Sequence, residues 1–378
     1  MRRWTVLAIT GAIVLAGCGG EDTVSSGARS ATARATSPGA TTPTATTAPP
    51  ATGRSVRRPT RKTIATGLDV PWGVAFLPDR DALVSERETG RILRIPLRGG
   101  AKRVVMRIPG VDTSTTAEGG LLGLAVSPNY ARDRWVYAYL TTPTDNRIVR
   151  FHLGGRIHPI LTGLRRGVIH DGGRIAFGPD GKLYAGVGET GDSALAQDVN
   201  SRNGKILRMN PDGSVPAGNP FRGSLVWSYG HRNVQGLAWD SAGRLWATEF
   251  GQSRFDEVNL IRPGRDYGWP VVEGVGSTAG GRFTNPLVTW PTSVASPSGA
   301  AIVGSTMYIG ALQGQDLLRV RLRGTRATKL TPILRGRYGR IRTVVPAPDG
   351  SLWITTSNRD GRGSPRAGDD RIIRIPVG

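Results

Sequence analysis

The feature that most restricts what this chain can fold into is a pattern repeated about six times between Gly73 and Ile375. Each copy has an apolar strand, a turn carrying Pro, Asp or Gly, a second strand, and then a strand mixing basic and apolar residues. The copies run from GVAFLPD (Gly73 to Asp79) to GRILRI (Gly90 to Ile95), and from GLAVSP (Gly123 to Pro128) to RIVRF (Arg147 to Phe151). They continue from RIAFGPDG (Arg174 to Gly181) to GKILR (Gly204 to Arg208), and from GLAWD (Gly236 to Asp240) to EVNLI (Glu257 to Ile261). The last two join AAIVGS (Ala300 to Ser305) to LLRVRL (Leu317 to Leu322), and TVVPAPDG (Thr343 to Gly350) to DRIIRI (Asp370 to Ile375). Units of roughly 40 to 60 residues, each a small sheet, leave only short protected edges when set around an axis. A six-bladed β-propeller over residues 62–378 is the expected all-β fold. A β-sandwich is the rival, but its strands need not repeat one turn chemistry at one place in every unit.

Composition agrees with a turn-rich body. The 378 residues include 53 Gly and 26 Pro, too many interruptions for a helical bundle, and the length suits one large propeller as well as two smaller domains. The net charge of +22 comes from 50 basic residues against 28 acidic ones. Only five of the basic residues are lysine, and the arginines are scattered. Neither zinc-ligand pairs nor a basic helix nor an aromatic RNA-binding signature accompanies the charge, so a solvated basic surface is preferred to nucleic-acid binding.

The first residues point to export. Arg2 and Arg3 precede an apolar run from Trp4 to Ala16, too short for a mature bilayer span and ordered like a secretory signal. Its end, LAGC, resembles a bacterial lipobox, which would make residues 1–17 a signal peptide and Cys18, the sole cysteine, a lipidation point. Acyl chains add about 0.8 kcal/mol of membrane affinity per buried CH₂, so more than one would hold the protein on the outer face of the membrane. Residues 18–61 are rich in Ser, Thr, Pro and Ala, with little to bury, and read as a flexible linker.

Chemistry is expected in the irregular segments between strands. The segment from Ile169 to Arg174 (IHDGGR) holds His170 in a chain with four histidines. A neutral imidazole there could act as a base near pH 7, with a surface or capping histidine as the alternative. The segment YGHRNVQG, Tyr229 to Gly236, brings His231, Arg232 and Asn233 together, the guanidinium suited to a carboxylate and the amide to either hydrogen-bond role. In EFGQSRFDE, Glu249 to Glu257, clustered carboxylates and carbonyls at a glycine turn suit a hard cation such as Ca²⁺, though without EF-hand spacing, and solvated acids remain the alternative. Arg340 and Arg342 alternate along an extended stretch and so face one way, fit for an anion or a solvated basic edge. No serine elbow, phosphate loop or HExxH zinc motif is present.

At these residues the chain resembles the pyrroloquinoline quinone (PQQ)-dependent glucose/sorbosone dehydrogenases, over about residues 62 to 378. The motifs that carry the resemblance are EGGLLG (Glu118 to Gly123), the stretch from His170 to Gly181, GHRNVQGL (Gly230 to Leu237), DEVNLI (Asp256 to Ile261) and DYGWP (Asp266 to Pro270). The resemblance implies oxidation of an aldose at its anomeric carbon, with His170 as general base and hydride passing to PQQ. It implies that Glu189 orients His170, that Arg232 stabilises charge on the reduced quinone, and that Asn233 contacts the cofactor. It gives Arg340 and Arg342 the PQQ carboxylates, the carbonyls of Gly251 and Gln252 a catalytic Ca²⁺, and Glu257 and Tyr267 a second, structural Ca²⁺.

Two expected cofactor-side positions depart from the glucose enzyme of that family. Glu118 replaces a glutamine near the substrate, and Gln313 replaces a lysine on PQQ, which removes a charge from a carboxylate site. The expected partners are a sugar, a quinone or other electron acceptor, and the membrane through the lipid anchor, with no nucleic acid. Two other functions fit a propeller of this kind: a surface binding module that has lost its cofactor, and a Ca²⁺-dependent sugar lactonase in which the ion activates water.

Overall fold

The computed structural model describes residues 60–113 and 117–377. The proposed signal peptide, Cys18 and nearly all of the proposed linker lie outside the described residues.

Six antiparallel four-stranded sheets form a β-propeller. The innermost strands are Pro71–Phe76, Leu121–Val126, Ile175–Phe177, Val234–Trp239, Pro297–Val303 and Ile341–Pro346. Five blades are built from consecutive strands. In the sixth, the outer strand is Lys62–Ala65 from the start of the domain, paired with Ile372–Ile375 so that Lys62 faces Arg374 and Thr63 faces Ile373. The ring is therefore closed by its two ends, and Trp353 seals the seam, fully buried with Phe76 of the first blade edge-on at 5.0 Å. Such an aromatic pair contributes about 0.5 to 1.5 kcal/mol beyond its burial.

The repeated glycine at the head of the inner strands has a steric cause. A Cβ at Gly123 would stand 2.3 Å from the Gly173 carbonyl oxygen of the next blade, and one at Gly236 would stand 2.5 Å from that of Ser298. Only glycine lets neighbouring inner strands approach this closely near the axis. Between blades the filling is apolar. Trp72, Tyr137, Tyr139 and Leu183 share one cluster, and Trp246, Met307 and Ile309 share another.

Strand alternation sorts the connections. The links between blades and the second-to-third connections within blades emerge together at the starts of the inner strands, whereas the Pro-Asp-Gly turns emerge at the other end. The segments that carry His170, Arg232, Gly251 and Arg340 belong to the first group, so the fold gathers them on one face, whereas DYGWP with Tyr267 lies in the third-to-fourth connection of blade four.

Candidate functional site

His170 lies in the link between blades two and three. It adopts a left-handed backbone (φ 58°), and Gly172 and Gly173 follow at φ 68° and 99°. This turn aims the His170 N–H at Glu118 Oε2, 2.9 Å away, and puts Nδ1 2.5 Å from Glu189 Oε1. Glu189 opens the second-to-third connection of blade three and is itself fixed by its N–H on the Arg232 carbonyl at 3.0 Å. An ionised carboxylate only accepts, so Nδ1 of neutral His170 carries the proton and Nε2 keeps its lone pair. Both side chains are buried.

Arg232 and Asn233 follow at the next link. Arg232 donates to Gln252 Oε1 from Nε and Nη2 at 3.0 and 2.7 Å and to the Phe250 carbonyl at 3.3 Å, and it lies 5.5 Å from the ring centre of Trp269. All these acceptors are neutral. Burial lowers its pKa, while Glu189 and Glu249 act in the opposite direction. Asn233 accepts the Gly172 N–H at 3.1 Å, and among the described residues neither its buried Nδ2 nor Glu189 Oε2 has a partner.

Arg340 and Arg342 meet at one acid that the sequence reading missed. Asp360 Oδ2 accepts from Arg340 Nη2 at 3.1 Å and Arg342 Nη2 at 3.2 Å. One carboxylate between two guanidiniums leaves a net positive charge. Burial would raise the Asp360 pKa, but Arg342 and Arg340 outweigh it and hold the carboxyl below its ordinary value. Burial pushes Arg342 down to about 10, so it stays charged. Arg342 Nη1 also donates to Gln235 Oε1 at 3.1 Å.

These groups surround a cleft of about 220 Å³ lined by Arg87, Glu118, Gln235, Phe250, Arg342 and Asp360, among others. Arg362 stands at its edge, with Nη1 2.6 Å from Glu118 Oε1. Burial would raise the Glu118 pKa, but Arg362 and the His170 N–H outweigh it. Of the positions read from sequence, Glu118 and Arg342 line the cleft directly. His170, Arg232 and Arg340 each bond to a lining residue. Gln313 is not brought in: its side chain is exposed, and its neighbour Leu312 takes the wall position. Arg87, Asp360 and Arg362 went unread because each comes from a strand end or connection with no motif of its own, and Gln235 because only its neighbours His231, Arg232 and Asn233 were singled out in that motif.

The turn from Gly251 to Phe255 is held from behind. Glu273 Oε1 accepts four successive N–H groups, those of Gln252, Ser253, Arg254 and Phe255, at 2.7 to 3.3 Å. In a trans peptide the carbonyl points opposite to the N–H, so the Gly251 and Gln252 oxygens face away from Glu273. Glu257 and Tyr267 lie elsewhere, in a buried cluster with Glu249 and His231. There His231 Nδ1 is 2.8 Å from Glu249 Oε2, and Tyr267 stacks on His231 at 4.7 Å. Burial and the neighbouring Glu249 push Glu257 up to about 8. Beside it, Asn259 Oδ1 is buried without a partner. The Tyr267 hydroxyl is already engaged, donating to the Leu260 carbonyl and accepting the Arg262 N–H. His152 and His158 flank Trp135 instead, at the far ends of blade two.

The Glucose / Sorbosone dehydrogenase family model matches residues 68–373. An aldose sugar dehydrogenase from Streptomyces coelicolor, solved in a PQQ-bound form, superposes with a TM-score of 0.80 at 50% identity, covering 85% of this chain and 100% of that one. The aldose sugar dehydrogenase YliI of Escherichia coli is 30% identical over 335 residues, 78% of this chain and 89% of its own. Quinoprotein glucose dehydrogenase B of Acinetobacter calcoaceticus is 32% identical over 263 residues, 60% of this chain and 55% of its own.

Proposed function

The chain belongs to the glucose/sorbosone dehydrogenase family, and from that premise we propose that it oxidises aldose sugars at the anomeric carbon with PQQ and Ca²⁺ as cofactors. The observation that carries this reading is the His170–Glu189 pair beside Arg232, a buried arginine whose bonded acceptors are all neutral.

The residues present fit both cofactors. Arg340 and Arg342 exceed the single charge of Asp360 and suit a polycarboxylate. The orphaned Asn233 Nδ2 is a buried donor in want of an acceptor. The carbonyls of Gly251 and Gln252 are the oxygen donors that a hard cation takes. Glu257 and the unpartnered Asn259 Oδ1 offer oxygens to a second cation, whereas the engaged Tyr267 hydroxyl leaves that residue only its main chain.

When bound, PQQ supplies the two-electron acceptor that takes hydride from the sugar, made more electrophilic by Ca²⁺. His170 Nε2 takes the proton of the anomeric hydroxyl, and Glu189 fixes the ring and stabilises the imidazolium that results. Arg232 supplies positive charge where negative charge develops, in a buried setting where it acts strongly. Glu118 holds the His170 main chain and, through Arg362, one wall of the sugar's approach. We also propose export and lipid anchoring at Cys18, with a sugar and an electron acceptor met outside the cytoplasm.

The test is calorimetric binding of PQQ with and without Ca²⁺ to residues 60–378, alongside dye reduction with several aldoses. Tight, Ca²⁺-dependent binding with sugar-dependent dye reduction is expected. Sugar-lactone hydrolysis without PQQ, or no PQQ binding, overturns the proposal.

A further inference from the structure

The propeller axis is blocked by one side chain. Arg174 reaches from blade three across to blade four, where Nε donates to the Gln235 carbonyl at 2.8 Å, and to blade six, where Nη2 donates to Thr343 Oγ1 at 3.2 Å. Its guanidinium lies 4.2 Å from the ring centre of Trp72 in blade one. Gln235 is shared: its carbonyl holds Arg174, while its side chain bonds Arg342 above. Arg174 is thus the floor between the cleft already described and whatever lies along the axis beyond.

What lies beyond is a second pocket of about 440 Å³, at the opposite ends of the six inner strands. Its wall repeats the same register in each blade, with Phe76, Val126, Phe177, Trp239, Ile302 and Pro346 at corresponding places. Among the described residues that line it, Arg174 is the one with a charged side chain. Burial, joined by the like charge of Arg342, lowers the Arg174 pKa to about 9, leaving the cation intact at neutral pH. A buried cation whose charged neighbour repels it, set at the end of a funnel walled by apolar side chains and strand backbone, is costly unless an anion joins it. The inner strands, each paired on one side only, add main-chain groups along the axis.

We propose that this pocket binds a small monocarboxylate with an apolar body, its carboxylate on Arg174 and its chain against the inner-strand ends. The site is separate from the sugar and cofactor cleft and does not depend on the activity assigned to that cleft. A neutral alcohol of the same length lacks the group that Arg174 selects. A phosphate or a dianion lacks the apolar body that the wall selects.

Calorimetry with octanoate and octan-1-ol on the protein from residue 60 onward tests this. Octanoate is expected to bind once per chain, at least tenfold more tightly than octan-1-ol, with an affinity unchanged by saturating PQQ and Ca²⁺. Arg174→Met, checked for native circular dichroism, is expected to lose at least tenfold in octanoate affinity. Should that variant not fold, Ile302→Glu, which sets a like charge on the half-buried rim, is expected to weaken octanoate to the same degree. Equal binding of the alcohol, displacement of octanoate by PQQ, no binding at millimolar concentration, or full affinity in the folded variants overturns the proposal.

Discussion

Glu118 and Arg362 stand 244 residues apart in sequence and are joined at 2.6 Å across the mouth of the cleft. The other oxygen of the same carboxylate holds the His170 N–H at 2.9 Å. The entrance and His170 are therefore tied through one side chain. This also gives a reason for a glutamate here: a glutamine could accept from His170 but would offer Arg362 no charge.

Glu118→Gln tests that link. The exposed end of an ion pair contributes little, so stability should fall by no more than about 1 kcal/mol. The Glu118 pKa is lowered in the fold, so its contribution is present above its ordinary value near 4.5 and is lost as pH falls through the lower folded value. Sugar KM is expected to change more than kcat, because the wall loosens while His170 and Glu189 remain. Steady-state kinetics with PQQ loaded, beside denaturant melts at pH 7 and pH 4, decide it. An unchanged KM would mean that the Arg362 arm does not shape the approach.

The His170 pair calls for two variants. His170→Ala should lower PQQ-dependent sugar oxidation by about 10² to 10⁴-fold while the fold persists, the usual range for a positioned base. Glu189→Gln preserves shape but can donate from its amide to Nδ1, which favours the tautomer with the proton on Nε2, and turnover should drop with little change in KM. Undiminished turnover in either variant would remove the residue from its assigned role.

The propeller was legible because each blade repeats a strand and turn chemistry, and because glycine at Gly123 and Gly236 is a steric demand visible as a repeated letter. His170, Arg232, Asn233, Arg340 and Arg342 were legible as short motifs at the starts of inner strands. The closing strand Lys62–Ala65 was not, since four residues without the repeat's turn carry no periodic signal of their own. Asp360 and Arg362 were hidden for another reason. They sit in an irregular connection whose partners, Arg340, Arg342 and Glu118, are set by the ring and not by spacing. Gln313, matched by motif, is exposed, and its neighbour Leu312 lines the cleft.

Asp360→Asn separates the charge balance of the proposed cofactor site from its packing. Removing the one acid between Arg340 and Arg342 leaves two buried guanidiniums facing each other, and the cofactor-free protein should lose about 3 to 5 kcal/mol. A polycarboxylate that binds there restores the missing charge. PQQ should therefore raise the melting temperature of the variant more than that of the parent, by ligand linkage. Thermal melts with and without PQQ check this, and an equal shift in both proteins would place the PQQ carboxylates elsewhere.

Asp171, next to His170, gives a stability test independent of any cofactor. It is 1% exposed; its Oδ1 accepts from Asn146 Nδ2 at 2.7 Å and from the Gly167 N–H at 3.0 Å, and its Oδ2 has no partner among the described residues. Burial raises its pKa from 3.8 to about 6. The folded state therefore holds a proton that the unfolded chain releases between those values, and the contribution of Asp171 to stability falls as pH rises through that window. A shift of about two units corresponds to about 3 kcal/mol lost by pH 7. Asp171→Asn keeps an oxygen for Asn146 and Gly167 and has no charge to bury. It is expected to be more stable than the parent at pH 7, with the advantage shrinking below pH 6 and gone near pH 3.8. Denaturant melts of both proteins from pH 4 to pH 8 measure the difference, and a constant gap across that range would show that Asp171 does not change protonation on folding.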